Sequence, residues 1–141
     1  MKSITLPGTL ESLKPLAEFV HTVAKEAGFD QQTAYRLHLA VDEIATNTVM
    51  HGYAGGQTQG EIFLSAEILP AQLRINLEDS AAVFDPTQRA SAPDLSADIE
   101  TRTIGGLGIL LAQKNVDQFL YQRVGDRNRV IFVLKRPSIQ H

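Results

Sequence analysis

Residues 10–51 hold two successive stretches in which apolar side chains recur every three or four positions; outside them the apolar residues mostly alternate. This order of periods is the tightest constraint on the fold. In the first stretch Leu13, Leu16, Ala17, Val20, Val23, Ala24 and Ala27 form one stripe, because a helix brings i, i+3, i+4 and i+7 to the same face. Thr9 is placed to cap its start, and Gly28 is the expected stop residue. In the second stretch Ala34, Leu37, Ala40, Val41, Ile44, Ala45 and Thr48 mark a helix that Asp30 caps and that runs to about His51. Residues 2–6 alternate and stop at Pro7-Gly8, which predicts a short strand. Glu61–Leu69 and Leu73–Leu77 predict two more strands, with Ile62, Leu64, Ala66 and Ile68, then Leu73, Ile75 and Leu77, each on one face. Val116–Val124 and Arg129–Lys135 predict a hairpin turned by Gly125-Asp126-Arg127-Asn128.

Between the hairpins, Glu78 to Arg102 follows neither period; Gly105-Gly106-Leu107-Gly108 then opens an apolar helix from Ile109 to about Asn115. An unpatterned segment of that length in a compact domain is usually a lid, a binding loop or disorder. The predicted order β-α-α-β-β-loop-α-β-β keeps helices and hairpins apart. It predicts an α+β two-layer sandwich: a mixed, mostly antiparallel sheet covered on one face by helices. The length of 141 residues predicts one domain over 1–141.

Composition narrows the chemistry. Thirteen basic and sixteen acidic residues leave a net charge of −3, which argues against direct nucleic-acid binding by phosphate neutralisation. The absence of cysteine excludes disulfides, thiolate zinc sites and cysteine nucleophiles. No stretch approaches the roughly 20 apolar residues of a membrane span, and the N-terminus lacks the apolar core of a secretory signal. The expectation is a soluble cytoplasmic protein that does not engage a membrane.

Three constellations can carry chemistry. Glu43 and Asn47 stand one helical turn apart, with His51 continuing the same edge. A carboxylate there can take a proton from a hydroxyl, and an amide oxygen is a hard ligand suited to Mg²⁺. Taken alone, a solvated Glu beside a cap-like Asn explains that spacing better. Next, Glu78-Asp79-Ser80-Ala81-Ala82-Val83-Phe84-Asp85-Pro86 directly follows an apolar strand, with Asp79 where the chain turns away. Such a carboxylate can accept a hydrogen bond from a ligand amino group, although an acidic turn around a buried Phe84 is the simpler reading in isolation. Last, Ile104-Gly105-Gly106-Leu107-Gly108 precedes a helix, where glycines admit a close ligand and free N–H groups face phosphate. It is neither a Walker A loop nor G-x-G-x-x-G after a strand, and a hinge with close helix packing is its structural alternative.

In this order the three sets resemble the GHKL ATPase superfamily with its Bergerat nucleotide-binding fold. Val41 to Tyr53 is similar to that superfamily's N-box. Asp79 to Pro86 and Ile104 to Ile109 are similar to the RsbW-type anti-sigma-factor serine kinases, and the likeness runs from about Ile4 to Arg136. The resemblance implies a single histidine-kinase-like ATPase domain that uses ATP and Mg²⁺ to phosphorylate a serine on an anti-sigma-factor antagonist. It implies Glu43 as general base, Asn47 as the Mg²⁺ ligand and Asp79 as acceptor for the adenine amino group, with Ala81 and Phe84 in the nucleotide pocket. It implies Gly105, Gly106 and Gly108 as lid hinge and phosphate cradle, residues 85–103 as the lid, and Arg102 against the terminal phosphate. Arg102 and Lys114 would offset the nucleotide's charge locally. The implied partners are the antagonist, a sigma factor and a second copy of the chain as a homodimer; the N-terminal strand can complete a sheet edge in cis or pair with that second copy.

One position departs from the pattern. The family's Asp-x-Gly has alanine at Ala81. If that position requires a positive φ, alanine costs about 1–2 kcal/mol, or about tenfold in ligand affinity. A second reading is therefore a catalytically weak or inactive module of the same fold that regulates by binding partners.

Overall fold

In the computed structural model, residues 1–56, 59–81 and 108–137 are described. Strand β1 (Lys2–Pro7) leads through a 3-10 turn (Leu10–Ser12) into helix α1 (Leu13–Glu26). Helix α2 (Gln31–Asn47) continues into a π-helical turn (Thr48–Gly52) and a 3-10 turn (Ala54–Gly56). Strands β2 (Glu61–Ile68) and β3 (Gln72–Asp79), helix α3 (Gly108–Lys114), and strands β4 (Gln118–Val124) and β5 (Arg127–Lys135) follow.

The strands form one sheet in the order β1-β2-β3-β5-β4, and every pairing is antiparallel. Alternation decides which face is covered. Ile62, Leu64 and Ala66 of β2, Leu73, Ile75 and Leu77 of β3, and Val130, Phe132 and Leu134 of β5 are buried in one core. Leu16, Val20, Val23 and Ala24 of α1 and Leu37, Ala40, Val41, Ile44 and Ala45 of α2 belong to the same core. The expected two-layer α+β sandwich is thus the observed one, except that the sheet is antiparallel throughout the described strands and not mixed. β1 completes the sheet edge in cis through β2.

Boundaries shift where local chemistry differs from periodicity. The predicted first helix starts three residues late: Leu10–Ser12 is a 3-10 turn, and Thr9 makes no side-chain cap bond. Gly28 does end α1, at φ 94°. Its N–H donates to Lys25 O and that of Phe29 to Ala24 O, the paired bonds of a Schellman terminus. Asp30 caps α2 as expected, accepting from Thr33 N at 2.7 Å. Glu78 and Asp79, expected beyond the strand, belong to β3. The β4–β5 turn is shorter than predicted, with Gly125 at φ 61° and Arg127 already paired to Val124.

Candidate functional site

The sheet and α2 bring two of the three constellations together. Glu43 and Asn47 sit half-buried on the last turns of α2, beside the buried Ile44 and Ala45. The α-helix stops at Asn47, and the following turn closes with Tyr53 N–H donating to Thr48 O five residues back. This wider turn takes His51 off the Glu43–Asn47 edge and leaves it exposed. Single π turns are uncommon and recur at functional sites.

Asp79 ends β3 and is 7% exposed, and Thr48 Oγ1 lies 3.5 Å from its Oδ2. The residue after Asn47 therefore touches Asp79, although 31 positions separate Thr48 and Asp79 in sequence. The buried Nδ2 of Asn47 has no partner among the described residues. A buried N–H donor left unpaired is costly, so the position favours a ligand that brings an acceptor such as a phosphate oxygen.

Several residues without a sequence-derived role hold this junction. Tyr53 is 2% exposed; its hydroxyl donates to Glu61 O at 2.8 Å and accepts from Ser80 N at 2.9 Å. A Cβ at Gly8 or Gly60 would stand 2.4 or 2.1 Å from its ring, so both positions require glycine for that approach. Asn128, 4% exposed on β5, donates from Nδ2 to Asp79 Oδ1 at 3.0 Å and to Ala81 O at 3.3 Å. Arg123 Nη1 also donates to Ala81 O, at 3.2 Å, and Tyr121 OH donates to Asn128 Oδ1 at 2.7 Å. Tyr53 stood inside the N-box-like stretch and Asn128 inside the predicted turn, but nothing local in the sequence shows that either reaches Asp79.

Ala81 has no backbone strain: Ala54, at φ 51°, is the one described non-glycine residue with positive φ. The condition attached to its cost is therefore not met. Its methyl lies beside Gly52, where an added Cβ would be 2.9 Å away. Space at residue 52 thus accommodates the methyl at residue 81.

The remaining expected residues divide. Gly108 begins α3, which packs against α2. Lys114, at its other end, lines a cleft with Asp30, Thr33 and Arg36 from the start of α2. Helix α3 therefore runs antiparallel to α2, and Lys114 lies at the end of the molecule opposite Asp79. It cannot offset charge at the candidate site, which corrects that expectation. Phe84, Arg102, Gly105 and Gly106, and with them the expected lid, lie outside the described residues.

A second titratable group faces away from this junction. His21 Nε2 of α1 lies 3.3 Å from His38 Nδ1 of α2, and Tyr35 packs edge-on against His38. Burial lowers the His38 pKa, with Asp42 pulling it up and His21 pushing it down. Burial raises that of Asp42, offset in part by His38.

Residues 6–134 match the family model of the histidine kinase-like ATPase domain. Serine-protein kinase RsbW of Listeria monocytogenes serovar 1/2a is 33% identical over 98 residues, covering 67% of this chain and 62% of that protein. The chain thus spans less than two thirds of that relative's length. The RsbU and RsbW domains of Rv1364c from Mycobacterium tuberculosis share the fold with a TM-score of 0.61 at 16% identity, over 98% of this chain and 34% of that one. The SiaB-SiaC complex from Pseudomonas aeruginosa holds a chain with a TM-score of 0.53 at 10% identity, over 96% of this chain and 89% of that one.

Proposed function

The chain belongs to the histidine kinase-like ATPase domain family, in its RsbW-type branch, and on that premise we propose that it is an ATP- and Mg²⁺-dependent protein serine kinase acting as an anti-sigma factor. Its substrate is a serine on an anti-sigma-factor antagonist; its other partners are a sigma factor and a second copy of itself, and it works in the cytoplasm. The observation that supports this reading best is the junction of α2 with β3. It sets Asn47, whose buried Nδ2 donor has no partner among the described residues, next to Thr48, which touches Asp79.

Each residue then has a chemical task. Asp79 accepts the amino hydrogen of adenine. Asn47 would supply an amide oxygen to Mg²⁺, and the ion would neutralise charge on the ATP phosphates. The residues fit that ion: Mg²⁺ commonly takes one or two protein oxygens and fills its other positions with phosphate and water. Among the described residues no group of three or more His, Asp or Glu side chains forms a separate metal cage. Glu43, one turn before Asn47, receives the serine proton as the serine oxygen bonds to the terminal phosphorus and the bond to ADP breaks. Gly105, Gly106 and Gly108 form the phosphate cradle, Arg102 pairs with the terminal phosphate, and Ala81 and Phe84 line the base pocket.

Isothermal titration of ATP with and without Mg²⁺ tests the binding half of this reading. Affinity falls at least about tenfold in Asn47→Ala and in Asp79→Ala. Glu43→Gln keeps nucleotide binding and loses transfer of the terminal phosphate to the antagonist. Absence of binding by the unaltered chain at millimolar ATP would refute the proposal.

A further inference from the structure

The two oxygens of Asp79 are not equivalent. Oδ1 accepts from Ala81 N at 2.9 Å and from Asn128 Nδ2 at 3.0 Å. Oδ2 has only the 3.5 Å approach of Thr48 Oγ1 among the described residues. An ionised carboxylate offers about four lone-pair positions, so the spare accepting capacity lies on Oδ2, the side facing the end of α2.

Asn128 shares that division with the Ala81 amide and is the side chain that enforces it. It stands opposite Asp79 in the β3–β5 register. Both hydrogens of its amide are engaged, one by Asp79 Oδ1 and one by Ala81 O, while its Oδ1 accepts from Tyr121 OH at 2.7 Å. Turning the amide over would point its oxygen at two other acceptors and lose both bonds. Tyr121 sits on β4, so the β4–β5 hairpin behind Asp79 fixes the amide, and the amide fixes the carboxylate.

Resting on the nucleotide-binding reading above, we propose that Asn128, backed by Tyr121, is the positioning device that commits Asp79 Oδ2 to the ligand and thereby sets the preference for adenine over guanine. A carboxylate held in one orientation offers a pure acceptor to the 6-amino group of adenine. Guanine presents a carbonyl oxygen at the same place, and the two acceptors repel. A carboxylate free to rotate can instead find the N1–H and 2-amino donors of guanine, so loosening it weakens ATP and spares GTP.

The test measures ATP and GTP affinities by titration calorimetry in the unaltered chain, in Asn128→Ala and in Tyr121→Phe, with urea unfolding of each nucleotide-free protein. The unaltered chain prefers ATP. Asn128→Ala weakens ATP about tenfold and GTP little, so the ATP-to-GTP ratio narrows several-fold. Tyr121→Phe, which removes one hydroxyl from a half-buried ring and keeps the fold, narrows the ratio about threefold. If both nucleotides weaken equally, or if stability falls while the ratio stays constant, Asn128 only braces the strand end and the inference is overturned. Failure of the unaltered chain to bind either nucleotide is a different result: it removes the nucleotide-binding reading itself, and this inference with it.

Discussion

Gly52→Ala should destabilise this protein although nothing in the local backbone forbids alanine. Gly52 does not adopt a left-handed φ, and Ala54 and Gly55 are the residues nearby that do. On backbone grounds alone the change should stabilise by about 0.4–1 kcal/mol, because alanine restricts the unfolded chain. The tertiary structure reverses the sign. The new Cβ would stand 2.9 Å from the Ala81 Cβ, closer than two methyl carbons can rest, so either the π turn or the end of β3 must move. Overpacking of this kind costs about 1–3 kcal/mol, a fall in melting temperature of about 3–10 °C for a domain of this size. Urea unfolding of Gly52→Ala, Ala81→Gly and the double variant isolates the contact. Ala81→Gly alone should cost about 1 kcal/mol through a lost methyl contact and a freer unfolded chain. The double variant should be more stable than the sum of the singles predicts, by about 1–2 kcal/mol. Additivity within about 0.5 kcal/mol would refute the claim that the missing side chain at residue 52 accommodates the methyl at residue 81.

Tyr53→Phe keeps the buried ring and removes the hydroxyl that joins Glu61 O to Ser80 N; unfolding in urea should show a loss of about 1–3 kcal/mol, and ATP affinity should fall because Ser80 holds the end of β3 next to Asp79. The His21–His38 contact predicts a pH dependence. Burial, with His21 nearby, holds the folded-state pKa of His38 below histidine's ordinary 6.5, so the unfolded chain binds more protons between the two values. The stability from neutral His38 is therefore complete above about pH 6.5 and is lost as pH falls from there toward the folded-state value. His38→Gln should flatten the slope of the urea midpoint between pH 7 and 5; an unchanged slope would refute the assignment. Asp42, with its pKa raised by burial, acts in the opposite sense at lower pH.

The elements themselves were legible because each signal is local. Stripes such as Leu16-Val20-Val23-Ala24 mark a helix wherever it sits, and Ile62-Leu64-Ala66 marks a half-covered strand in any sheet. The Asp30 cap and the Gly28 stop follow from bonds made within six residues. The boundaries that slipped lie where local signals compete: a 3-10 turn ahead of α1, and a π turn where periodicity carried the second helix on to His51. Glu43, Asn47 and Asp79 were named from their order in the chain, but the order does not put Thr48 against Asp79.

Sequence alone thus determined the periodicities, the caps and the set of residue types able to hold a nucleotide, since each depends on neighbours a few positions away. Only the folded sheet decided three further matters. Lys114 falls at the far end of the domain, because α3 runs antiparallel to α2. Ala81 is unstrained, because Gly52 leaves room for its methyl. Asp79 Oδ1 is held from the neighbouring strand β5, because Asn128 reaches it across 49 residues of sequence. Each is set by which surfaces meet when the sheet closes against the helices, and no spacing within a single element encodes that.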